Sequence, residues 1–246
     1  MIAMIVPPAE PPRRGRKKIL LLAALGLFGL YLLWELITWP NVAAVAHTHP
    51  KTTAFIEDYQ GWGWFGPKRP VQWTWVPYSR ISSNLKRAVI VSEDIRFYSH
   101  HGFDDAEIKA ALQDAWEEKE LPRGASTITQ QVAKNLWLSG SYNPLRKVKE
   151  AILTHQLERT LSKRRILEIY LNVAELGRGI YGAEAAARHY YRRSAAGLTD
   201  RQAAELAASL PRPSTWHPGV SSRGYQRKVR IILRRMAVAR WLRGEI

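Results

Sequence analysis

Residues 93–102 read EDIRFYSHHG, just after the apolar run RAVIV and Ser92. Two carboxylates, Glu93 and Asp94, therefore stand within a few residues of two imidazoles, His100 and His101. Three chemistries fit such a group. A carboxylate at the end of a buried element can act as a general base toward a hydroxyl. Glu93, Asp94, His100 and His101 could instead offer oxygen and nitrogen ligands to a metal, although the spacing lacks an HExxH pattern. The third reading is an ordinary capped turn. Two further stretches carry polar groups at helical spacing. In STITQQVAKN, Ser126 has the type and position of an N-cap. Thr127, Gln131 and Lys134 then fall on one face with Gln130 beside them, while Ile128, Val132 and Leu136 form a separate apolar stripe. A polar stripe of this kind ordinarily faces solvent. In PLRKVKE, Arg146 and Glu150 lie four apart with Lys147 adjacent, the usual spacing of a helical ion pair.

The elements that must position these groups are mostly helical. SSNLKRAVIVSE, DDAEIKAALQDAWEEKE, STITQQVAKNLWL, PLRKVKEAILTHQLERTL and SKRRILEIYLNVAE each repeat apolar residues three or four apart. YGAEAAARHYY, TDRQAAELAASL and GYQRKVRIILRRMAVARWL do the same. Glycine and proline punctuate them at Gly102, Pro122–Gly124, Gly140, Gly177–Gly179 and Pro211–Pro218. Residues 40–80, rich in Pro, Gly and Trp, predict irregular or short extended structure. Their tryptophans suit either a membrane interface or burial under the domain.

The N-terminus is organised differently. RRGRKK precedes an apolar run from Ile19 to Trp39 that is uncharged as far as Trp34. At about 1.5 Å per residue this run can cross a hydrocarbon layer of about 30 Å. A signal peptide would have a shorter apolar core and an earlier small-residue cleavage site, so the spacing favours an anchor. The basic flank then stays cytoplasmic and everything after Pro40 is exported. The expected organisation is a basic tail (1–18), a spanning helix (19–39), a membrane-proximal segment (40–80) and a domain (81–246). The 246 residues carry a formal net charge of +16 and no cysteine. Disulfides, thiolate metal sites and cysteine nucleophiles are thereby excluded. The positive charge suits anionic partners; the topology turns that preference from nucleic acid toward anionic lipid or a lipid-linked phosphate.

EDIRFYSHHG, GASTITQQVAKN, RKVKE and RILEIYLNVAELGRGIYGAEAAARHYY occur in this order at close intervals. Together, from about Ser79 to Pro218, they resemble the transglycosylases of glycosyltransferase family 51, which polymerise lipid II into peptidoglycan strands. No transpeptidase domain fits after Ile246, so the expectation is the monofunctional biosynthetic type. The resemblance implies a mainly α, lysozyme-like transglycosylase domain behind a single N-terminal transmembrane helix, with a jaw region close to the membrane. It also implies roles by position. Glu93 matches the first catalytic glutamate, a general base, within a block that includes Asp94, Phe97, His100 and Gly102. Ser126, Thr127, Gln130, Gln131, Lys134 and Asn135 match the second block. Arg146, Lys147 and the second essential carboxylate, Glu150, match the third. No histidine is implied as a metal ligand. Two departures are visible: Tyr191–Arg192 stands where members commonly have Phe-Gly, and RPSTWHPG lacks the Asn-Pro often found there.

The chemistry so implied is an inverting transfer. A carboxylate takes the proton from the 4-hydroxyl of the acceptor sugar in lipid II, and undecaprenyl pyrophosphate leaves from the growing glycan strand as an anion. That leaving group calls for positive charge, which Lys134, Arg146 and Lys147 could supply. A divalent cation (Mg or Mn) could assist it, with Glu150 either holding the metal or orienting Arg146. Implied surroundings are the inner membrane and the periplasm, with division or elongation proteins as further partners and no nucleic acid. The competing readings are a membrane-anchored lysozyme-like lytic enzyme and a non-enzymatic cell-wall scaffold.

Overall fold

A computed structural model describes residues 13–61, 66–118, 126–138 and 144–246. The expected separators at Pro122–Gly124 and Gly140, and the tryptophans Trp62 and Trp64, lie outside the described residues. The chain divides into two compact units, Met1–Asn41 and Val42–Ile246. In the first, the apolar run forms helix α1 (Arg13–Ile37). Its stretch Lys17–Ile37 has a mean hydropathy of 2.1 and an unburied surface, and at about 1.5 Å per residue it is long enough to cross a bilayer. The helix stops at Ile37, so Trp39 lies beyond its end.

The second unit opens with more regular structure than its composition predicts: short helices α2 (Ala44–His47) and α3 (Ala54–Gln60), strand β1 (Gln72–Trp73) and a 3-10 turn at Tyr78–Arg80. Thr53 accepts the Ile56 N–H at 3.1 Å and starts α3. Helix α4 (Ser83–Glu93) begins on Ser82, whose hydroxyl accepts the Leu85 N–H at 3.1 Å. Its run Leu85–Val91 is buried on every side, because later helices pack around it. That is why RAVIV reads as continuous rather than striped, and why three β-branched residues in a row still form a helix. Packing overrides propensity here.

Helices α5 (Asp105–Glu118), α6 (Ile128–Trp137), α7 (Pro144–Thr160) and α8 (Lys163–Val173) follow. The sequence pattern carries the α8 helix on to Glu175, but the chain leaves it at Ala174 in an extended conformation. Strands β2 (Glu175–Gly177) and β3 (Ile180–Tyr181) come next, and the sheet order is β1-β3-β2, with β1 parallel and β2 antiparallel to β3. Strands of two or three residues are too short to show a period. Asn172 ties this sheet to α8. Its side chain bonds both the N–H and the C=O of Val76 at 2.9 Å, and its carbonyl accepts the Trp73 indole N–H at 2.7 Å. Gly182 turns β3 into α9 (Ala183–Tyr191) at φ 80°, where an added Cβ would sit 2.5 Å from the Asn172 carbonyl oxygen. Helices α10 (Asp200–Ser209) and α11 (Arg223–Val238) complete the fold. Helix α4 packs on α10 and α11, and α6 packs on α7, α8 and α3.

Arg192, at the first departure noted from the sequence, ends α9 in the left-handed region at φ 56°, ψ 30°. Among the described residues no other non-glycine has positive φ. A side chain costs about 1–2 kcal/mol in this conformation, partly offset by glycine's larger entropy loss on folding. Arg192→Gly should therefore stabilise the protein by about 0.5–1 kcal/mol and raise the thermal midpoint by about 1–4 °C. A lower midpoint would contradict this account.

Candidate active site

Glu93 is the last residue of α4, and the helix end that carries it is held from outside. Arg235 of α11 donates to the Val91 carbonyl at 3.1 Å, answering carbonyls that a helix terminus leaves open. The Glu93 carboxylate is half-buried and accepts from neutral donors: Ser92 Oγ at 2.9 Å and Gln131 Nε2 at 3.2 Å. Gln131 in turn accepts from the Tyr170 hydroxyl at 2.9 Å. Burial raises the Tyr170 pKa, and the charges of Glu93 and Asp94 add to the effect, so the phenol remains a donor. A line of hydrogen bonds thus runs from the core through Gln131 to Glu93.

The residues after Glu93 form a closed circuit. Asp94 Oδ2 accepts the Ile128 N–H at 3.0 Å, in the first turn of α6. The carboxylate also accepts from His100 Nε2, at 2.9 and 3.0 Å. His100 Nδ1 accepts the Gly102 N–H at 3.2 Å, which leaves Nε2–H to donate to Asp94. The Gly102 carbonyl accepts from Thr127 Oγ1 at 2.7 Å, and Thr127 leads back to Ile128. Gly102 is at φ 94°, and an added Cβ would lie 2.9 Å from Thr154 Cγ2. Phe97, with no exposed surface, packs its ring edge-on to His100 at 6.4 Å, and the Lys163 ammonium lies 4.6 Å from its centre.

Two expectations are corrected here. The cap of α6 is Thr127, because the helix begins at Ile128. Thr127 Oγ1 accepts the Gln130 N–H at 3.2 Å while Gln130 Oε1 accepts the Thr127 N–H at 2.9 Å. Ser126 is released to line a cavity. The candidate metal group is also different. The three acidic or imidazole groups that converge are Asp94, His100 and Asp104, whereas Glu93 turns toward Ser92 and Gln131. Asp104 accepts from Arg96 Nε at 2.7 Å and from the Glu107 N–H at 2.9 Å. Both His100 nitrogens are engaged as well. The cluster is a staple whose oxygens and nitrogens already have protein partners.

The third block meets the second. Glu150, 2% exposed, accepts from Arg146 Nη1 at 2.9 Å and from Lys147 Nζ. Lys134 is half-buried on α6, which contradicts the solvated reading of its stripe. Burial lowers its pKa; Glu150 and Glu93 oppose the shift, and Arg146 and Lys147 add to it. Lys134 therefore lies in the field of both carboxylates and both neighbouring cations. Arg146 Nε is buried with no acceptor among the described residues. Asn135 is buried within α6. A cavity of about 610 Å³ opens beside Glu93, lined by Ser92, Ser126, Thr127, Arg234, Arg235 and Trp241 among others.

The transglycosylase family profile matches residues 63–237. The chain belongs to the transglycosylase family. It is 47% identical over 224 residues to the biosynthetic peptidoglycan transglycosylase of Methylobacillus flagellatus, covering 89% of this chain and 95% of that protein. The protein of the same name from Thiobacillus denitrificans is 49% identical over 215 residues, covering 87% and 91%. That of Bordetella avium is 48% identical over 221 residues, covering 86% and 90%. As a transglycosylase the chain is a glycosyltransferase, and the mainly α domain expected from the sequence is the one observed. Tyr170, Arg234, Arg235 and Trp241 were not identified from sequence. GYQRKVRIILRRMAVARWL was legible as a basic helix but not as part of the site, and neither Tyr170 nor Trp241 carried a local signal.

Asp94→Asn should break the circuit. An amide must turn an N–H toward either the His100 donor or the Ile128 N–H, and losing one buried charge-assisted bond costs about 1.5–3 kcal/mol. The thermal midpoint should fall by several degrees. An unchanged midpoint would show that Asp94 does not staple α4 to α6.

Proposed function

We propose that this peptidoglycan transglycosylase polymerises lipid II into β-1,4-linked glycan strands and releases undecaprenyl pyrophosphate. The observation that carries the reading is the convergence on Lys134: a half-buried ammonium that feels the charges of Glu93 from α4 and of Arg146, Lys147 and Glu150 from α7. In the reaction, Glu93 accepts the proton of the acceptor's 4-hydroxyl while that oxygen attacks the anomeric carbon of the growing strand. The sugar–phosphate bond breaks, its electrons leave with the pyrophosphate, and attack from the opposite face inverts α to β. Gln131, held by Tyr170, fixes the position of the accepting carboxylate. Lys134 and Arg146, whose Nε has no protein acceptor among the described residues, receive the growing negative charge.

Both Glu150 oxygens accept from Arg146 and Lys147. Glu150 thus acts by orienting those cations, and a Mg or Mn ion at the pyrophosphate would have to displace one of them. Asp94, Phe97, His100, Thr127 and Gln130 support the site through their bonds to one another, and Ser126 faces the cavity beside Glu93. A prenyl-linked substrate stays at the bilayer, which gives α1 its use. The basic flank places its N-terminus in the cytoplasm and the domain in the periplasm, at the inner membrane.

Incubation of the purified protein with labelled lipid II tests the class, because polymerisation lengthens the product and a lytic enzyme shortens existing strands. Glu93→Gln keeps the shape and the Gln131 contact region but removes the base, so turnover should fall by about 10² to 10⁴ with the melting curve unchanged. Near-normal turnover of the folded variant would overturn the role of Glu93, as a scaffold would predict. Lys134→Ala should lower both kcat and affinity, because its contact strengthens as the bond breaks. Lys134→Arg should restore activity in part, since a planar fork differs from a compact ammonium. The pH profile separates this from a packing effect. Burial lowers the Lys134 pKa, so its charge is lost at a lower pH than that of an ordinary lysine. An arginine stays charged there, and the alkaline limb of Lys134→Arg should move to higher pH. Identical limbs in both proteins would remove Lys134 from the anion site.

A further inference from the structure

The position of the Lys134 ammonium is not explained by α6 alone. Lysine carries its charge on a four-carbon stem with about 2 kcal/mol of rotamer freedom, and Arg146 and Lys147 repel it. Glu150 is already occupied by those two cations. Glu150 and Glu93 oppose that repulsion through their charge, but attraction at a distance does not by itself limit the swing of the stem.

Helix α3 packs against α6 and presents Phe55 to this point. The Lys134 Nζ lies over the Phe55 ring, 5.5 Å from its centre, within the roughly 6 Å over which a ring face attracts a cation. Phe55 is itself fixed on both sides. The Tyr181 hydroxyl donates to its carbonyl at 3.3 Å, its neighbour Ile56 is 3% exposed, and Thr53, 1% exposed, caps the helix. Helix α3 also precedes the stretch that the family profile matches, residues 63–237.

We propose that Phe55 is a positioning residue for Lys134: its ring face holds the ammonium in place and covers one side of it, leaving the remaining N–H donors for the pyrophosphate of the lipid-linked sugar. The proposal rests on the function given above for Lys134. The ring adds no charge to the site. The charged groups facing Lys134 are Glu93 from α4 and Arg146, Lys147 and Glu150 from α7, so the contribution of Phe55 is attraction to one cation without neutralising it. A carboxylate in the same place would hold the lysine more strongly but compete with the substrate for it.

The test uses the full-length protein with Phe55→Leu, which keeps apolar cover and removes the ring, and Phe55→Tyr, which keeps the ring. Phe55→Leu should lower kcat/KM on lipid II by about three- to thirtyfold, and Phe55→Tyr should stay within about twofold of the parent. In a Lys134→Ala background, Phe55→Leu should cost less than twofold, because the contact is already gone. An equal cost in both backgrounds, or an equal cost for Leu and Tyr, would overturn the proposal. A second readout needs no substrate. After reductive ¹³C-methylation, which keeps the charge, the Lys134 signal, assigned by its absence in Lys134→Arg, should be shifted upfield by the ring. That shift should vanish in Phe55→Leu and persist in Phe55→Tyr; an unshifted parent signal would overturn the contact. Should Leu prevent folding, as judged by melting, Phe55→Met takes its place. If the parent elongates no lipid II, the proposed function fails while the methyl signal still decides the contact.

Discussion

The bond from the Ile128 N–H to the Asp94 carboxylate is the constraint on which the site depends. It joins the end of α4 to the beginning of α6, two elements separated by a long excursion through α5. The bond is strong for two reasons. It is charge-assisted and buried, and the carboxylate stands at the positive end of a helix. With it made, Gln131 comes one turn into α6 beside Glu93, and Lys134 one turn further along. The bonds through His100, Gly102 and Thr127 close the same junction from the other side. A shift of α6 against α4 by one residue would move Gln131 by about 1.5 Å and around the helix axis, and the contact to Glu93 would be lost.

The two glutamates named from sequence occupy opposite environments, and that difference separates their roles. Glu93 is half-buried and accepts from a serine and a glutamine, both neutral. Such bonds can be exchanged for one to a sugar hydroxyl at little cost. Glu150 is 2% exposed and accepts from two cations. Its pair with Arg146 is largely buried, and breaking that pair costs several kcal/mol, whereas Lys147 is more than half exposed. A carboxylate so paired is well suited to hold a guanidinium in place. Under the proposed reaction the first moves a proton and the second arranges charge.

The longer helices were legible because each repeats apolar residues at helical spacing over two or more turns; which of them approach each other was not. The caps were less so. Ser126 and Thr127 both suit an N-cap by type, and only the identity of the N3 residue separates them: Gln130 completes a capping box with Thr127, a pairing available in the sequence but ambiguous between neighbours. The sheet was not legible, since Gln72–Trp73, Glu175–Gly177 and Ile180–Tyr181 are too short to alternate, and the first is held by Asn172 through Trp73 and Val76 rather than by any pattern of its own. Tyr170 and Phe55 were missed for a related reason. Tyr170 reads as an ordinary apolar position of its helix and Phe55 as one aromatic in a segment expected to be irregular, and the relation of each to Gln131 or Lys134 exists only once distant elements pack.

The distribution of satisfied and unsatisfied groups then gives the site its logic. Asp94, His100, Gly102, Thr127 and Gln130 spend their hydrogen bonds on one another, so they set geometry at a stability gain and have little left for a ligand. Arg146 retains a buried Nε without a protein acceptor among the described residues, and Lys134 is desolvated beside a ring that offers attraction without a counter-charge. Leaving a buried donor open costs about 1–3 kcal/mol. The fold tolerates that cost only because the closed circuit and the packed helices around α4 hold the surrounding groups in place. Under the proposed reaction an incoming dianion recovers it, and recovers more as charge accumulates on the leaving oxygen. On that reading the stability invested in the junction at Asp94 is what permits positive charge to stand beside the sugar–phosphate bond that breaks.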